Sequence, residues 1–261
     1  MLRLNFEPAS SRRELARDEA MLQWADSVIE NQHEDQRDEP TTESFRVWRF
    51  TEPTVILGRS SRIDEEVDRA WCAARGIDVL RRCTGGASVV GGPGCLMYSV
   101  VVRVPGEGGL RKIDAAHDFV MQRLLAAVQV QVPTAERAGT CDLIFQNRKF
   151  SGNSLRIARH HLLYHGTLLV DADLDLIDEC LALAPRQPEY RQGRNHRDFV
   201  GNVHLDELKL TESLESEFGK HADAVSDARS MSQAGYESIM EEIAEELMRS
   251  RYGDASWHER R

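Results

Sequence analysis

Residues 142–170 read DLIFQNRKFSGNSLRIARHHLLYHGTLLV, and the fold is legible in them. Three runs, 142–145, 149–157 and 162–170, carry strand-forming side chains and are separated by short polar interruptions. Connections this short suit antiparallel neighbours, and Gln146-Asn147-Arg148 supplies the first turn. The stretch predicts an antiparallel meander. On its N-terminal side, 96–104 reads as another strand, and Ile113, Ala116, Val120, Leu124 and Val128 recur at helical spacing. Further upstream, 77–80, 54–57 and 45–50 are strand candidates. Asp64 is the expected N-cap of a helix that stops at Gly76. A first helix begins near Ser11 with Leu15, Leu22 and Ile29 on one stripe, and a polar loop spans 30–43. On the C-terminal side Asp173 opens a helix with Leu174, Ile177 and Leu181 inward. Strands and helices without regular alternation predict an α+β fold, a mainly antiparallel sheet flanked by helices.

Composition sets outer limits. The chain has 261 residues, 33 Lys+Arg against 43 Asp+Glu, 41% hydrophobic and 29% charged residues. A net charge of −10 argues against bulk nucleic-acid binding or coating of an anionic membrane, both of which need clustered cations. The longest apolar stretch, 96–102, is interrupted by Ser99 and far shorter than the ~20 residues of a membrane span. The N-terminus has no apolar signal core, so a cytoplasmic setting is expected. Five scattered cysteines with no CxxC pair agree with that. Residues 206–261 hold 14 acidic and 7 basic side chains, which predicts two parts: a main domain over 1–205 and a short acidic helical appendage over 206–261.

Two segments carry candidate chemistry. Between two strand candidates, 81–94 reads RRCTGGASVVGGPG. Glycines there let backbone N–H groups wrap an anionic group, and Arg81 and Arg82 supply charge; a tight strand corner is the competing reading. It is neither a dinucleotide fingerprint nor a P-loop. The second segment is Lys149 in RKFSGNS, where small Ser151, Gly152, Asn153 and Ser154 leave space for a ligand beside an inward ammonium. On a strand His161 and His165 share one face while His160 points to the other, and no Cys, Asp or Glu lies at ligand spacing, so a core or site-lining role for His165 is expected and no resident metal. Cys83, Cys95, Cys141 and Cys180 are the thiols to weigh as nucleophiles, with a structural role as their default.

Taken in order, ELARDEAML, RRCTGGASVVGGPGCLMYS, CDLIFQNRKFSGNSLR with LLYHGTLLVDADL, and RYGDASWHERR resemble the lipoate–protein ligase A family, within the biotin/lipoyl ligase and octanoyltransferase superfamily. The resemblance implies a catalytic domain like those of class II synthetases and biotin ligases. It implies ATP-dependent activation of lipoate to lipoyl-AMP, with Mg2+ on the triphosphate, and transfer to a lysine of a lipoyl carrier domain. Such carriers are the E2 component of a 2-oxoacid dehydrogenase or a protein like the glycine-cleavage H protein. Carried over by position, Arg82, Ala87, Ser88, Val89, Val90 and Lys149 would bind ATP. Arg81, Gly85, Gly86, Lys149, Gly152, Asn153, Ser154, His165, Gly166 and Thr167 would bind lipoate or its adenylate, and Lys149 would be catalytic.

Departures from the pattern are Ala87 for the third loop glycine, Gly91-Gly92 for a His-Asp pair and Cys95 for a common Asn. The acidic segment also stands where the family has a larger accessory domain, so a separate accessory subunit is one expectation. Two alternatives remain at this level: an octanoyl or lipoyl transferase using a carrier thioester and a cysteine, and a non-catalytic relative dependent on a partner. Since 206–261 alone carries −7 of the net charge, the rest is nearly neutral, and an anionic pocket ligand fits it.

Overall fold

The computed structural model describes residues 1–31, 41–104, 106, 109–185, 187–219 and 232–260. Its elements are β1 (Leu2–Arg3), α1 (Ser11–Glu30), β2 (Ser44–Trp48), β3 (Thr54–Leu57), α2 (Ile63–Glu66), α3 (Arg69–Ala74), β4 (Asp78–Arg81), β5 (Val89–Gly91), β6 (Cys95–Arg103) and α4 (Ile113–Gln129). They continue as β7 (Glu136–Ala138), β8 (Asp142–Phe145), β9 (Arg148–Ile157), β10 (His161–Leu169), α5 (Leu174–Cys180), α6 (His196–Phe199), α7 (Glu207–Gly219), α8 (Gln233–Leu247) and α9 (Ala255–Glu259). Seven strands form the main sheet in the order β1-β2-β6-β10-β9-β8-β7, antiparallel except for the β1–β2 edge. A second sheet, β4-β3-β5, carries the glycine-rich loop between β4 and β5. The expected α+β fold, helices flanking a mainly antiparallel sheet, is the one observed.

The meander forms as its sequence directs. Gln146 and Asn147 adopt φ of 50° and 61°, the left-handed pair of a two-residue hairpin turn, with Phe145 opposite Arg148. One face of the sheet is almost wholly apolar. Leu96, Tyr98, Val100 and Val102 of β6 and Leu162, Tyr164 and Leu168 of β10 join Ala116, Val120, Leu124 and Val128 of α4 in the main core. Each such Leu or Val side chain contributes about 1.5–3 kcal/mol on burial.

The other face is covered by α1, with α8 packed along it. The expected stripe on α1 proves too narrow: Glu14, Arg17, Asp18 and Glu19 are buried as deeply as Leu15 and Leu22. Their charges are paired inside the protein, which the amphipathic pattern does not reveal. The C-terminal segment is tied to the same helix. Arg13 and Arg17 contact Glu241, while Arg251 and Tyr252 hold Glu19. The helix expected from Asp64 to Gly76 is instead two short ones, because the chain leaves helical geometry at Val67; Asp68, not Asp64, caps the second by accepting from the Trp71 N–H. Most of the polar loop expected over 30–43, residues 32–40, lies outside the described residues. Among the described residues no helix is long and apolar enough to cross a membrane.

Candidate active site

Lys149 reaches the site through an irregularity. Between Leu143 and Ile144 the β8–β9 register shifts by one, so Asp142 faces Gly152 while Ile144 faces Lys149. A bulge of this kind re-aims a side chain that simple alternation would send elsewhere. Phe150 enters the main core, and Lys149 comes to the same side as Gly152 and Asp142. Its Nζ lies 2.8 Å from Asp142 Oδ1, and its side chain stays 25% exposed. A Cβ on Gly152 would sit 3.0 Å from both Cε and Nζ of Lys149, so the glycine makes room for the ammonium.

Two cavities meet there. One, of about 130 Å3, is bounded by Glu66, Ile177, Leu181, Arg191, His196 and Phe199. The other, of about 190 Å3, runs into an apolar arm of Leu15, Trp48, Phe50, Ile56 and Met97. Both share Ala87, Ser88, Val89, Lys149, Gly152 and Thr167, so the glycine-rich loop and the lysine stand at their junction. The junction lies between the two sheets, on the polar face of the larger one.

The loop is held by Arg82. Its guanidinium donates to the carbonyls of Ile56 (3.1 Å), Gly85 (2.5 Å) and Ala87 (3.0 Å) and to Thr84 Oγ1 (2.9 Å). Burial lowers its pKa to about 10, which leaves it a cation at neutral pH. Gly86 has φ +82°, and its carbonyl approaches so closely that a Cβ on Gly58 would lie 1.8 Å away. Arg82 borders the apolar-arm cavity, yet these bonds make it a brace for the loop as much as a ligand group.

Behind the loop runs a buried polar chain. His165 Nε2 lies 2.6 Å from Thr84 Oγ1, and its Nδ1 lies 2.6 Å from Asp18 Oδ2. Asp18 also accepts from Arg46 and Ser99. Burial alone would raise the Asp18 pKa, but Arg46 and His165 beside it hold the carboxyl below its ordinary range. An ionised carboxylate only accepts, so the Nδ1 proton belongs to the imidazole. Asp18 thus fixes the His165 ring, which sets Thr84, which receives Arg82.

The sequence-expected residues sort by position. Arg82, Gly86, Ala87, Ser88, Val89, Lys149, Gly152, Asn153, Ser154, His165, Gly166 and Thr167 border the apolar-arm cavity, and Val90 borders the other. Ser154 donates to the Gly85 carbonyl at 2.7 Å. The Asn153 amide is engaged inside the protein, accepting from Tyr98 and donating to Cys141 O and Ser151 Oγ. Gly85 borders neither cavity but supplies the carbonyl that Arg82 and Ser154 share. Arg81 is the departure. It is 1% exposed, turns away from both cavities and donates to the carbonyls of Gly58, Ser61, His258 and Arg260. A strand places consecutive side chains on opposite faces, so the paired arginines cannot both face the loop. Arg81 anchors the C-terminal residues instead.

The thiols are not poised for attack. Burial pushes Cys83 up to about 12 and Cys95 up to about 11. Cys141, at the cavity edge, is raised by burial and then by Asp142, and its Sγ lies 3.1 Å from the Asn153 carbonyl. Cys180 lies in α5 and is buried.

Residues 13–215 match the lipoyl protein ligase A/B catalytic domain family. The chain belongs to that family. Curated relatives include lipoate–protein ligase 1 of Staphylococcus aureus, 28% identical over 63% of this chain and 48% of that protein. Lipoate-protein ligase LplJ of Bacillus subtilis is 24% identical over 83% of this chain and 64% of its own. The chain therefore spans about half to two-thirds of the length of these ligases. The octanoyltransferase LipM of Geobacillus kaustophilus is 25% identical over 95% of this chain and 93% of its own. Among solved structures, a bi-partite lipoate protein ligase from Thermoplasma acidophilum, studied with its E2 lipoyl domain, superposes with a TM-score of 0.74 at 22% identity, over 99% of this chain and 95% of that one. A lipoate-protein ligase A bound with ATP gives 0.72 at 22%, over 99% and 98%. The chain thus has the fold of lipoate-protein ligase A.

Several residues of this candidate site lie outside the sequence reading. Glu66 accepts from the N–H (2.8 Å) and Oγ (2.7 Å) of Ser88, a second hold on the loop beside Arg82. Arg191 is buried with its Nη2 unpartnered beside the smaller cavity, and His196, whose pKa is lowered first by burial and then by Arg191, borders the same space. Trp48 and Phe50 had only strand-forming propensity to mark them. No motif flags such residues, because contacts between distant segments place them there.

Proposed function

We propose that this chain is an ATP-dependent ligase that activates lipoate, or a close medium-chain acid, as its acyl-adenylate and passes the acyl group to a lysine of a lipoyl carrier domain. The observation that carries the reading is the junction itself: an apolar slot and a second, more polar cavity converge on one lysine under a glycine-rich loop. In this reading the acyl tail occupies the slot of Leu15, Trp48, Phe50, Ile56 and Met97, and the nucleotide occupies the cavity bounded by Glu66, Arg191 and Phe199.

A carboxylate oxygen then attacks the α-phosphorus and pyrophosphate leaves. Two anions must approach, and the Lys149 ammonium stands where both would arrive. Fixed donors at developing charge typically contribute 10²–10³-fold to a rate. Asp142, 2.8 Å away, orients the ammonium before substrate arrives. In the second step a neutral carrier amine attacks the acyl carbonyl, an amide bond forms and AMP departs, with Lys149 again beside the oxyanion. The Asp18–His165–Thr84–Arg82 chain holds the loop still through both steps, since fixed dipoles need no reorganisation.

Magnesium would enter with the triphosphate. Among the described residues no three ligating side chains gather into a resident site, and a hard cation bound mainly by phosphates needs only one or two carboxylates. Glu66 is the carboxylate that borders the proposed nucleotide cavity and would hold the cation. Its charge would offset that of the phosphates. A carrier domain as acceptor is supported by the Thermoplasma acidophilum system, and that bi-partite enzyme also makes an accessory subunit part of the proposal. A reducing, cytoplasmic setting completes it, since all five cysteines are free.

The second reading is an octanoyltransferase, favoured by the near full-length similarity to LipM and by Cys141 at the cavity edge. It requires an accessible thiolate, and the raised Cys141 pKa opposes that. Pyrophosphate release on mixing the chain with ATP and lipoate, alone and with a candidate accessory subunit, separates the two. The ligase reading expects release that survives Cys141→Ser. ATP-independent transfer from an octanoyl carrier, lost in Cys141→Ser, would replace it with the transferase.

A further inference from the structure

The apolar arm has one wall whose position depends on a missing side chain. Phe50, just past β2, is 1% exposed, borders the arm and stacks edge-on against Trp48 with ring centroids 4.7 Å apart. Beneath it lies Gly91, the last residue of β5 and one of the positions where the chain departs from the pattern it resembles. A Cβ there would fall 2.4 Å from Phe50 Cδ2, 2.6 Å from Cε2 and 3.1 Å from Ile56 Cδ1. Gly91 is not among the positive-φ residues, so its backbone does not require glycine. Space requires it. The ring occupies the volume that any side chain at 91 would take.

The surroundings leave the ring little latitude. Trp48, Ile56 and Met97 are all buried, and together with Phe50 they belong to the small core completed by Ala244, Leu247 and Tyr252 of the C-terminal segment. Protein interiors have few voids, so a displaced ring moves toward the one cavity it already borders. Removing the ring has the opposite effect, adding its volume to that cavity.

We propose that Phe50, seated in the space left by Gly91, is the movable wall of the acyl slot and sets the length of acyl chain the enzyme accepts. The proposal rests on the reading of the apolar arm as an acyl site and goes beyond it by naming the residue pair that fixes specificity. It makes opposite predictions for substitutions at the two positions. Phe50→Leu or Phe50→Ala lengthens the accepted chain, and Gly91→Ala shortens it.

The experiment titrates the full chain calorimetrically with saturated straight-chain acids of six, eight, ten and twelve carbons, for wild type and the three variants, each first checked for native circular dichroism. Two further buried methylenes are worth on the order of tenfold in affinity. The expected result is a shift of about that size in the twelve-to-eight-carbon affinity ratio, upward for Phe50→Leu and Phe50→Ala, and a fall in the ten-to-six-carbon ratio for Gly91→Ala. Phe50→Leu keeps the test open should Phe50→Ala not fold. Ratios unchanged within twofold in folded variants would overturn the proposal, as would a wild type that binds none of the acids. Length-graded binding without pyrophosphate release from ATP would refute the ligase reading while leaving the role of Phe50 intact. Pyrophosphate release with an unchanged length profile would do the reverse.

Discussion

The two faces of the main sheet are equally buried and differently built. Against α4, β6 and β10 present Leu96, Tyr98, Val100, Leu162, Tyr164 and Leu168. Against α1, the same strands and β2 present Arg46, Ser99 and His165 among Met97, Val101 and Leu163. The apolar face is a core that any good packing of similar volume would satisfy. On the polar face, Arg46 bridges Glu14 and Asp18 at 2.6 Å each, Asp18 holds His165, and the two cavities open beside them. A buried ion pair rarely stabilises more than a hydrophobic pair of the same volume. Its value here is that it fixes orientation, and the face that carries it is the one next to the site.

Breaking each face separately tests that contrast. Arg46→Met removes the cation shared by two buried carboxylates, leaving Glu14 only Arg17, and should cost about 3–5 kcal/mol of unfolding free energy, read by denaturant titration. Val120→Ala on the apolar side should cost about 2 kcal/mol by the same measurement. A variant pair in which the apolar loss was larger would reverse the comparison.

The pH dependence sharpens it. Glu19 would be raised by burial, but Arg251, Tyr252 and Arg156 outweigh that and hold it below its ordinary value, as Arg46 and His165 do for Asp18. For a carboxyl with a lowered folded pKa, the unfolded chain binds more protons through the titration range. Its stabilisation is therefore complete above the unfolded pKa of about 4 and is lost as pH falls through the folded value. Stability measured from pH 7 downward should decline steeply below about pH 4. Val120→Ala should lower that curve uniformly, whereas the loss in Arg46→Met should be largest at neutral pH and shrink as the carboxylates protonate, which flattens the acid limb. Parallel curves for both would show that the polar face has no special electrostatic role.

Legibility in the sequence divides along the same line. The meander and α4 were plain because alternation and the 3.6-residue period report apolar faces directly. The glycine-rich loop and Lys149 were legible through composition and resemblance. Asp18, Glu19 and Arg46 were not, since a charged side chain in one sequence reads as solvated until its partner is placed, and Arg46 is 28 residues from Asp18. Arg81 misled for a related reason: it adjoins Arg82, but strand geometry sends it to the C-terminal residues. The bulge that aims Lys149 depends on pairing with β8, which no local pattern contains.

The smallest effect expected is at Cys141. Its thiol donates to the Asn153 carbonyl and packs against the core, so Cys141→Ser should change the proposed ligase activity by less than about twofold. Iodoacetamide should modify it slowly at neutral pH and faster as pH rises, because its pKa is raised.

The central claim is that Lys149, aimed by the β8–β9 bulge, joins an acyl slot to a nucleotide cavity. Lipoate-dependent exchange of labelled pyrophosphate into ATP, compared between wild type and Lys149→Ala, tests it most directly. The prediction is exchange by wild type, with its accessory subunit present where one is needed, and a loss of at least ~100-fold in a variant that retains its fold. Full exchange by Lys149→Ala, or none by wild type under either condition, would contradict it.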